Sequence, residues 1–206
     1  MNTTRCWRRS SVFTQARCEA LVAVADLEPI YLRGSFERHC SLRWDSLQGS
    51  ASGGRWGARG GYEVLYLGRP RESVVVEAYR HLVDDDLDAP AELAATVLER
   101  RIVTCDVSVP GILDLRPAVA LERVDLDDAT LRSEVGDYDA CQALGAAAHQ
   151  LGLNGIIAPA ATGLGETLAL FPLNLPAEQW PTITATDIWH RLPADPRRLR
   201  LAGHGG

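Results

Sequence analysis

The pattern of apolar and polar residues along the chain predicts a mixture of strands and helices. Short apolar or alternating runs bounded by Gly, Pro and polar residues are typical of strands. Such runs occur at residues 28–33, 64–67, 102–107, 112–115, 155–158, 167–171 and 182–189. Apolar residues with helical spacing follow Pro70 and predict a helix that ends near Asp84. Two more helices are expected at 91–100 and 140–151, the second capped by Asp139.

The segment 48–61 breaks this pattern. It is rich in Gly, Ser and Arg and has no periodic apolar positions, so it is predicted to be a loop. Because strands and helices do not alternate strictly, the sequence favours the α+β fold class. We find neither an internal repeat nor an interdomain linker, and we expect a single domain.

Composition and charge narrow the function classes. The chain has 206 residues, 46% of them hydrophobic, which suits one domain with a sizeable core. The net charge is −6 and the basic residues are dispersed, so we expect no direct nucleic-acid binding. No apolar run approaches the length of a membrane span. Arg17 and Glu19 interrupt the apolar segment that an export signal needs, and we therefore expect a cytoplasmic protein.

The cysteines and histidines do not follow metal-site patterns. The five cysteines are widely separated and include no C-x-x-C pair, and the histidines form no H-E-x-x-H motif. A disulfide framework or a zinc site is therefore not expected, and a reducing cytosol is the simpler interpretation. We expect no metal and no bound cofactor.

Four polar side chains within 45 residues give the strongest chemical signal. Arg33 ends a predicted strand, and Arg55 follows Gly54 in the glycine-rich loop. Tyr66 ends an apolar strand, and Glu77 shares one helix face with apolar residues. Arg binds phosphate oxygens through paired N–H donors, and a carboxylate stabilises a developing cation. The set suits a ligand with phosphate at one end and positive charge at the other, such as NAD.

Other candidate residues keep more than one interpretation. Trp56 is either a stacking platform for a ligand or a wedge that fixes the loop. Asp139 and Gln142 either face the pocket or cap and pack their own helix. His81 is more often a core or surface histidine than a functional one. The run Gly163-Leu164-Gly165 lacks the third glycine of a dinucleotide-binding motif and precedes a strand, so a Rossmann fold is rejected.

The order and spacing of several short blocks resemble the RES-domain family, toxins of bacterial toxin–antitoxin pairs named for an Arg, a Glu and a Ser. The matching blocks are Tyr31-Leu32-Arg33-Gly34, Gly53-Gly54-Arg55-Trp56, Val64-Leu65-Tyr66-Leu67, Glu77, and the segments 139–145 and 155–161. Two positions depart from the family. Gly57 stands where Asn is usual, and Ala160 stands in the place of the family's serine. Without that hydroxyl, no role is expected for a serine here.

The resemblance implies an ADP-ribosyltransferase-like fold with a mixed or antiparallel sheet core and flanking helices. It also implies cleavage of the nicotinamide–ribose bond of NAD+, which depletes cellular NAD. The attacking group stays open at this point. Water would make the protein a glycohydrolase, inorganic phosphate a phosphorylase, and a protein side chain a mono-ADP-ribosyltransferase.

The same resemblance implies roles for the candidate residues. Arg33 and Arg55 are expected to clamp the pyrophosphate, and Tyr66 to contact the nicotinamide ribose. Glu77 is expected to bind the ribose 2′-hydroxyl and to stabilise the cation. The expected substrate-binding set is Arg33, Gly54, Arg55, Trp56 and Tyr66, and the expected catalytic set is Arg55, Tyr66 and Glu77.

The resemblance further implies a cognate antitoxin that occludes the pocket, with self-association of the toxin in that complex. The likeness begins near Tyr31, so we expect a flexible N-terminal extension over residues 1–25. The RES domain is then expected over 26–195 and a flexible C-terminal tail over 196–206. Two alternatives from other classes are a catalytically silent module that binds NAD or ADP-ribose and a structural partner protein that binds no nucleotide.

Overall fold

A computed structural model of the chain describes residues 17–84, 97–132 and 138–198. The strands are β1 (Ile30–Ser41), β2 (Leu65–Arg69), β3 (Arg100–Asp114), β4 (Gly155–Pro159), β5 (Glu166–Leu170) and β6 (Thr182–Trp189). The helices are α1 (residues 17–25), α2 (Arg71–Leu82), α3 (Ala118–Arg123), α4 (Asp128–Leu131) and α5 (Asp139–Gln150). A short 3₁₀ turn, Ala177–Gln179, precedes β6.

The strands form one mixed sheet in the order β1-β2-β5-β4-β3-β6, and β1 also pairs with β3. The β3–β4 ladder is parallel, whereas the other ladders are antiparallel. Because β1 meets β2 where Glu37 lies opposite Gly68 and pairs with β3 along its other edge, the sheet curls back on itself. The single mixed sheet with helices around it confirms the predicted combination of helix and sheet in one domain.

β3 is a single strand where the pattern predicted two, at 102–107 and 112–115. Pro110 has no N–H to donate and Gly111 adopts a positive φ of 67°, so the ladder changes at this step while the strand continues. Before the step β3 pairs with β6, and after it β3 pairs with β4. The side-chain amide of Asn154 donates to the Pro110 carbonyl at 2.9 Å and stabilises the step. The Pro-Gly pair therefore marks a change of partner strand.

Two hydrophobic clusters attach the helices to the sheet. The larger cluster lies under α1, α3, α4 and α5 and includes Trp56, Leu144 and Phe171. A second cluster joins the apolar side of α2 to Ile102 and Trp189. None of the helices in the described ranges is both long and apolar enough to cross a bilayer.

The helix predictions need two corrections. α5 begins at Asp139 itself and Tyr138 is its N-cap, without a side-chain hydrogen bond, so Asp139 lies one position inside the helix instead of capping it. Its carboxylate still lies in the first turn, where the helix dipole favours negative charge. The helix expected at 91–100 is not formed over 97–99, and Arg100 begins β3. Residues 91–96 lie outside the described residues.

The N-terminal segment contributes to the core. Residues 17–25 form α1, whose Ala20 and Val24 are only 7% and 1% exposed and belong to the larger cluster. Residues 17–25 of the expected extension therefore form a helix in the structure, and burial of these side chains holds it against the core. Residues 1–16 lie outside the described part of the chain.

The C-terminal segment is also held at its start. Arg197 forms ion pairs with Asp84 at 2.6 Å and with Asp195 at 2.8 Å. Within the expected C-terminal tail, Arg197 is thus connected to the segment that follows α2. Residues 199–206 are not among the described residues.

Candidate active site

A cleft of about 430 Å³ opens between the glycine-rich loop, α2 and the first residues of β3. Its charged and aromatic lining residues are Glu37, Arg38, His39, Trp44, Arg55, Trp56, Tyr66, Glu77, His81, Arg100 and Tyr138. Arg55, Tyr66 and Glu77, the three expected catalytic residues, all belong to this set, and Gly54 lines the cleft as well. The fold therefore brings most of the expected site together from a loop, a strand and a helix.

Glu77 lies in the middle of α2 with its side chain 42% exposed. The Nε2 atom of His81 is 3.0 Å from one carboxylate oxygen, and Nη1 of Arg80 is 3.6 Å from the other. Burial by itself would raise the pKa of Glu77. The hydrogen bond from His81 and the charges of His81, Arg80 and Arg55 outweigh burial and hold this pKa below its usual value. Glu77 is therefore ionised at neutral pH.

Arg55 extends from the glycine-rich loop along one wall of the cleft. Its Nη1 atom donates to the Thr130 carbonyl at 3.1 Å, and its guanidinium carbon lies 4.6 Å from the centre of the Tyr138 ring. The charge of Arg55 is also among those that lower the pKa of Glu77. A cation and a carboxylate that are 22 positions apart in sequence thus act in one cavity.

Tyr66 and Gly54 form the contact between β2 and the loop. The Tyr66 hydroxyl accepts the Trp56 N–H at 3.0 Å, so its own proton can be donated into the cleft. Burial raises the pKa of Tyr66, and the hydroxyl stays protonated at neutral pH. A Cβ atom at Gly54 would lie 2.8 Å from this hydroxyl, which explains the glycine. Gln142 donates to the Gly54 carbonyl at 2.9 Å and so packs against the loop.

Trp56 is a wedge that fixes the loop. Its residue is 1% exposed and belongs to the larger core cluster, so the indole offers no free face for stacking on a ligand. The Tyr62 hydroxyl donates to the Trp56 carbonyl at 2.6 Å, and a Cβ at Gly145 would lie 2.1 Å from the same oxygen. Between the two interpretations that the sequence left open, this burial favours the wedge over the stacking platform.

Arg33 lies apart from the other site residues. It is exposed on β1 with its guanidinium carbon 5.0 Å above the Tyr31 ring, and it is not among the residues that line the cleft. Glu37 and His39, further along the same strand, reach the cleft instead. Arg33 and Arg55 do not form the expected clamp, because the part of β1 that borders the cleft begins several residues after Arg33.

A family model for the RES domain matches residues 32–195, which is most of the chain. This chain belongs to the RES-domain family. It is 30% identical over 154 residues to the NAD(+) phosphorylase MbcT of Mycobacterium bovis and to MbcT of Mycobacterium tuberculosis, covering 68% of this chain and 77% of each relative. Its fold matches a chain in the crystal structure of the M. tuberculosis MbcT–MbcA toxin–antitoxin complex with a TM-score of 0.72 and 24% identity, covering 89% of this chain and 97% of that one.

The structure gives a physical account of one departure from the RES-domain pattern. A Cβ atom at Gly57 would lie 2.7 Å from Cγ2 of Val64, so the usual Asn needs a shift of β2 or of that side chain. Ala160, at the position of the family's serine, is 4% exposed and is not a cleft residue, whereas its neighbours Pro159 and Ala161 line the cleft. The backbone on either side of Ala160 therefore borders the cavity of this RES domain.

The cleft of this RES domain also contains residues that the sequence did not indicate. His39, Arg100 and Tyr138 line the cleft. Arg100 begins a strand and Tyr138 precedes a helix, positions that carry no local signal for a binding site. The alternation within β1 does put Glu37 and His39 on one face, but this signal becomes readable only once the strand is known to extend beyond Arg33. Across the described segments, no three His, Cys, Asp or Glu side chains are grouped as metal ligands would be.

Proposed function

We propose that this RES domain binds NAD+ in the cleft and cleaves the nicotinamide–ribose bond by phosphorolysis, as an NAD+ phosphorylase. The observation that carries the proposal is the shared cleft of Arg55 and Glu77, an anion-binding cation and an ionised carboxylate. The names of the 30%-identical relatives support phosphate as the attacking group. In this proposal NAD+ is a substrate and no separate cofactor takes part.

Glu77 supplies the charge that the reaction requires. Nicotinamide leaves as a neutral molecule, so no proton has to be donated to it, and the barrier lies in the oxocarbenium character of the ribose. An ionised carboxylate held beneath that ribose stabilises the cation and accepts a hydrogen bond from the 2′-hydroxyl. His81 and Arg80 keep Glu77 ionised before NAD+ arrives.

Arg55 and Tyr66 position the substrate. Arg55 binds the pyrophosphate through paired N–H donors, and its contacts with Thr130 and Tyr138 fix the plane of the guanidinium. Tyr66 donates its hydroxyl proton toward the nicotinamide ribose, because its oxygen already accepts the Trp56 N–H. The ligand is thereby bound at one end and exposed to Glu77 at the other.

The reaction balances without a redox step. The bond between the anomeric carbon and nicotinamide breaks, and its electron pair returns to the nicotinamide nitrogen. A phosphate oxygen forms the new bond to the same carbon, which gives nicotinamide and ADP-ribose 1″-phosphate. ADP-ribosyltransferases break the same bond in favour of a different acceptor, and the mixed sheet with flanking helices is consistent with an ADP-ribosyltransferase-like fold.

An enzyme that consumes NAD+ endangers its own cell. We therefore assign this chain as the toxin of a toxin–antitoxin pair that acts in the cytoplasm, held inactive by an antitoxin protein that covers the cleft. Toxin chains associate with one another in that complex. The toxin–antitoxin complex that contains the structural neighbour motivates this part of the proposal. Expression of the chain alone should lower cellular NAD and arrest growth.

The test is to incubate the purified chain with NAD+, with and without inorganic phosphate, and to identify the products by mass. Glu77→Gln removes the charge with little change of shape and should lower kcat/KM by roughly 100-fold or more. Glu72→Gln is the matched control, because Glu72 is exposed in the first turn of the same helix and lies outside the cleft. It should stay within about twofold of the unmodified chain.

Each product pattern has one meaning. Phosphate-dependent release of nicotinamide with ADP-ribose 1″-phosphate supports the proposal. Free ADP-ribose alone would make the protein a glycohydrolase, and ADP-ribose attached to a protein would make it a mono-ADP-ribosyltransferase. Saturable NAD+ binding with no nicotinamide release from folded chain would identify a silent binding module.

A further inference from the structure

Arg100 is a cleft guanidinium whose contacts leave its charge uncompensated. Its Nη2 atom lies 3.3 Å from Nδ1 of His39, and its buried Nε has no hydrogen-bond partner among the described residues. No carboxylate in the described part of the chain lies within ion-pair distance of Arg100. Burial lowers the pKa of Arg100, as expected for a cation that has lost water without gaining a counter-charge. Such a group suits an anionic ligand.

His39 orients Arg100 without neutralising it. A guanidinium has only donors, so Nδ1 of His39 must be the acceptor, and the neutral ring carries its proton on Nε2. Burial, together with the charge of Arg100, lowers the pKa of His39 to about 3, which keeps the ring neutral. The ring stacks on Trp189, with centroids 6.1 Å apart and planes 17° from parallel. A rigid neutral group thus holds the cation at the cleft wall.

The two carboxylates among the cleft-lining residues already lie beside other cations. Glu37 accepts three hydrogen bonds from Arg71, at 3.0, 3.1 and 2.6 Å, and Glu77 lies 3.6 Å from Nη1 of Arg80. Neither carboxylate is therefore expected to move toward Arg100. The charge on Arg100 is left for a group that enters the cleft.

Arg55 and Arg100 belong to different walls of the cleft. Arg55 contacts Thr130 and Tyr138, beside α4 and α5, whereas Arg100 contacts His39 in the β1–β3 ladder. Glu77 interacts electrostatically with both walls. Its charge acts to raise the pKa of His39, and the charge of Arg55 acts to lower the pKa of Glu77. The reaction uses two separate anions, the pyrophosphate of NAD+ and the attacking phosphate, and the cleft has a cation on each wall.

We propose that Arg100, held by His39, binds the inorganic phosphate that attacks the ribose, in a subsite separate from the pyrophosphate site at Arg55. This inference rests on the proposed phosphorylase function. Phosphate bound by Arg100 lies beside Glu77, where one of its oxygens can form the bond to the anomeric carbon as nicotinamide leaves. His39 is a positioning residue in this account, and it moves no proton.

The kinetic test compares Arg100→Gln with Arg101→Gln. Arg101 is the next residue of β3, its side chain is directed to the other face, and it donates to Trp44 and Ser46 without lining the cleft. Arg100→Gln should raise the KM for phosphate at least about tenfold and leave the KM for NAD+ within about twofold, because one charge-assisted contact is lost. Arg101→Gln should change both constants by less than about twofold.

Two results would overturn the inference. A rise in the KM for NAD+ with an unchanged KM for phosphate would place the pyrophosphate at Arg100. No change in either constant would mean that Arg100 binds neither anion. If Arg100→Gln does not fold, Arg100→Lys keeps the charge but loses the planar donor pair, and it should still raise the phosphate KM severalfold, by about threefold or more.

A binding experiment separates failure of this inference from failure of the proposed function. Inorganic phosphate alone is titrated into the chain without NAD+ and followed by calorimetry. Saturable binding that Arg100→Gln weakens at least about tenfold supports the subsite even if the chain releases no nicotinamide. Equal phosphate binding by both proteins, or none by the unmodified chain up to tens of millimolar, would overturn it.

Discussion

The change Tyr66→Phe tests whether one hydroxyl connects β2 to the glycine-rich loop. The Tyr66 oxygen accepts the Trp56 N–H at 3.0 Å, and Trp56 is 1% exposed. Removing the oxygen leaves the N–H of this buried residue without its partner. The loop would remain attached through the Trp56 carbonyl, which accepts the Tyr62 hydroxyl at 2.6 Å.

The expected cost follows from that geometry. A buried donor left without a partner costs about 1–3 kcal/mol. For a chain of this size each kcal/mol corresponds to about 2–4 °C in Tm, so the variant should melt roughly 2–12 °C lower. Urea unfolding measures the free energy directly, and the slope with denaturant should not change because the surface exposed on unfolding is the same.

Tyr31→Phe is the matched control. The Tyr31 hydroxyl also makes a hydrogen bond, 2.6 Å from Oγ of Ser108, but its residue is 52% exposed, so water replaces the lost partner. The control should leave the unfolding midpoint unchanged. If Tyr66→Phe is no less stable than Tyr31→Phe, the hydroxyl does not hold the loop and the account of the wedge is wrong.

Two further predictions concern the charged residues of the site. Arg55→Gln should raise the KM for NAD+ at least about tenfold in steady-state assays. Arg33→Gln should stay within about twofold, because Arg33 lies outside the cleft. Equal effects would mean that both arginines bind the pyrophosphate. The second is a pH dependence. His81 and Arg80 lower the folded-state pKa of Glu77, so ionised Glu77 stabilises the folded chain at pH values above its unfolded-state pKa. This stabilisation is lost as the pH falls through the folded-state pKa. The stability gap between the unmodified chain and Glu77→Gln, measured by urea unfolding, should therefore be largest at neutral pH and shrink on acidification below about pH 4.5, and a gap that widens in acid would contradict the sign.

The local elements of the fold could be predicted where the signal lies within a few residues. The pattern after Pro70 predicts α2, the glycines predict the loop, and the alternating run 182–189 matches β6. β1 continues to Ser41 through the polar run 37–39, which has no strand signal of its own. These residues are strand because β3 pairs with them, and that information lies more than 60 positions away.

The site residues likewise differ in whether a local sequence pattern identifies them. Gly54, Arg55, Tyr66 and Glu77 fall in a short stretch of chain, where glycine, a strand end and a helix face can be recognised from local pattern. The cleft position of Arg100 depends on the β1–β3 register, which only the folded sheet supplies. Arg33 was misplaced for the same reason, since a position near the predicted end of a strand does not tell how far the strand continues.

The partners of an arginine, more than its place in a motif, decide whether it can bind a ligand in this chain. Arg69 lies in β2 close to the cleft, yet it pairs with Glu166 and covers the Phe36 ring, so its charge is balanced within the fold. Arg71 is likewise bound to Glu37. Arg100 differs because its contact in the described structure is a neutral imidazole, which fixes a direction without cancelling charge. A sequence with 21 basic residues cannot distinguish these cases, because Glu166 and Glu37 reach Arg69 and Arg71 only in the folded sheet.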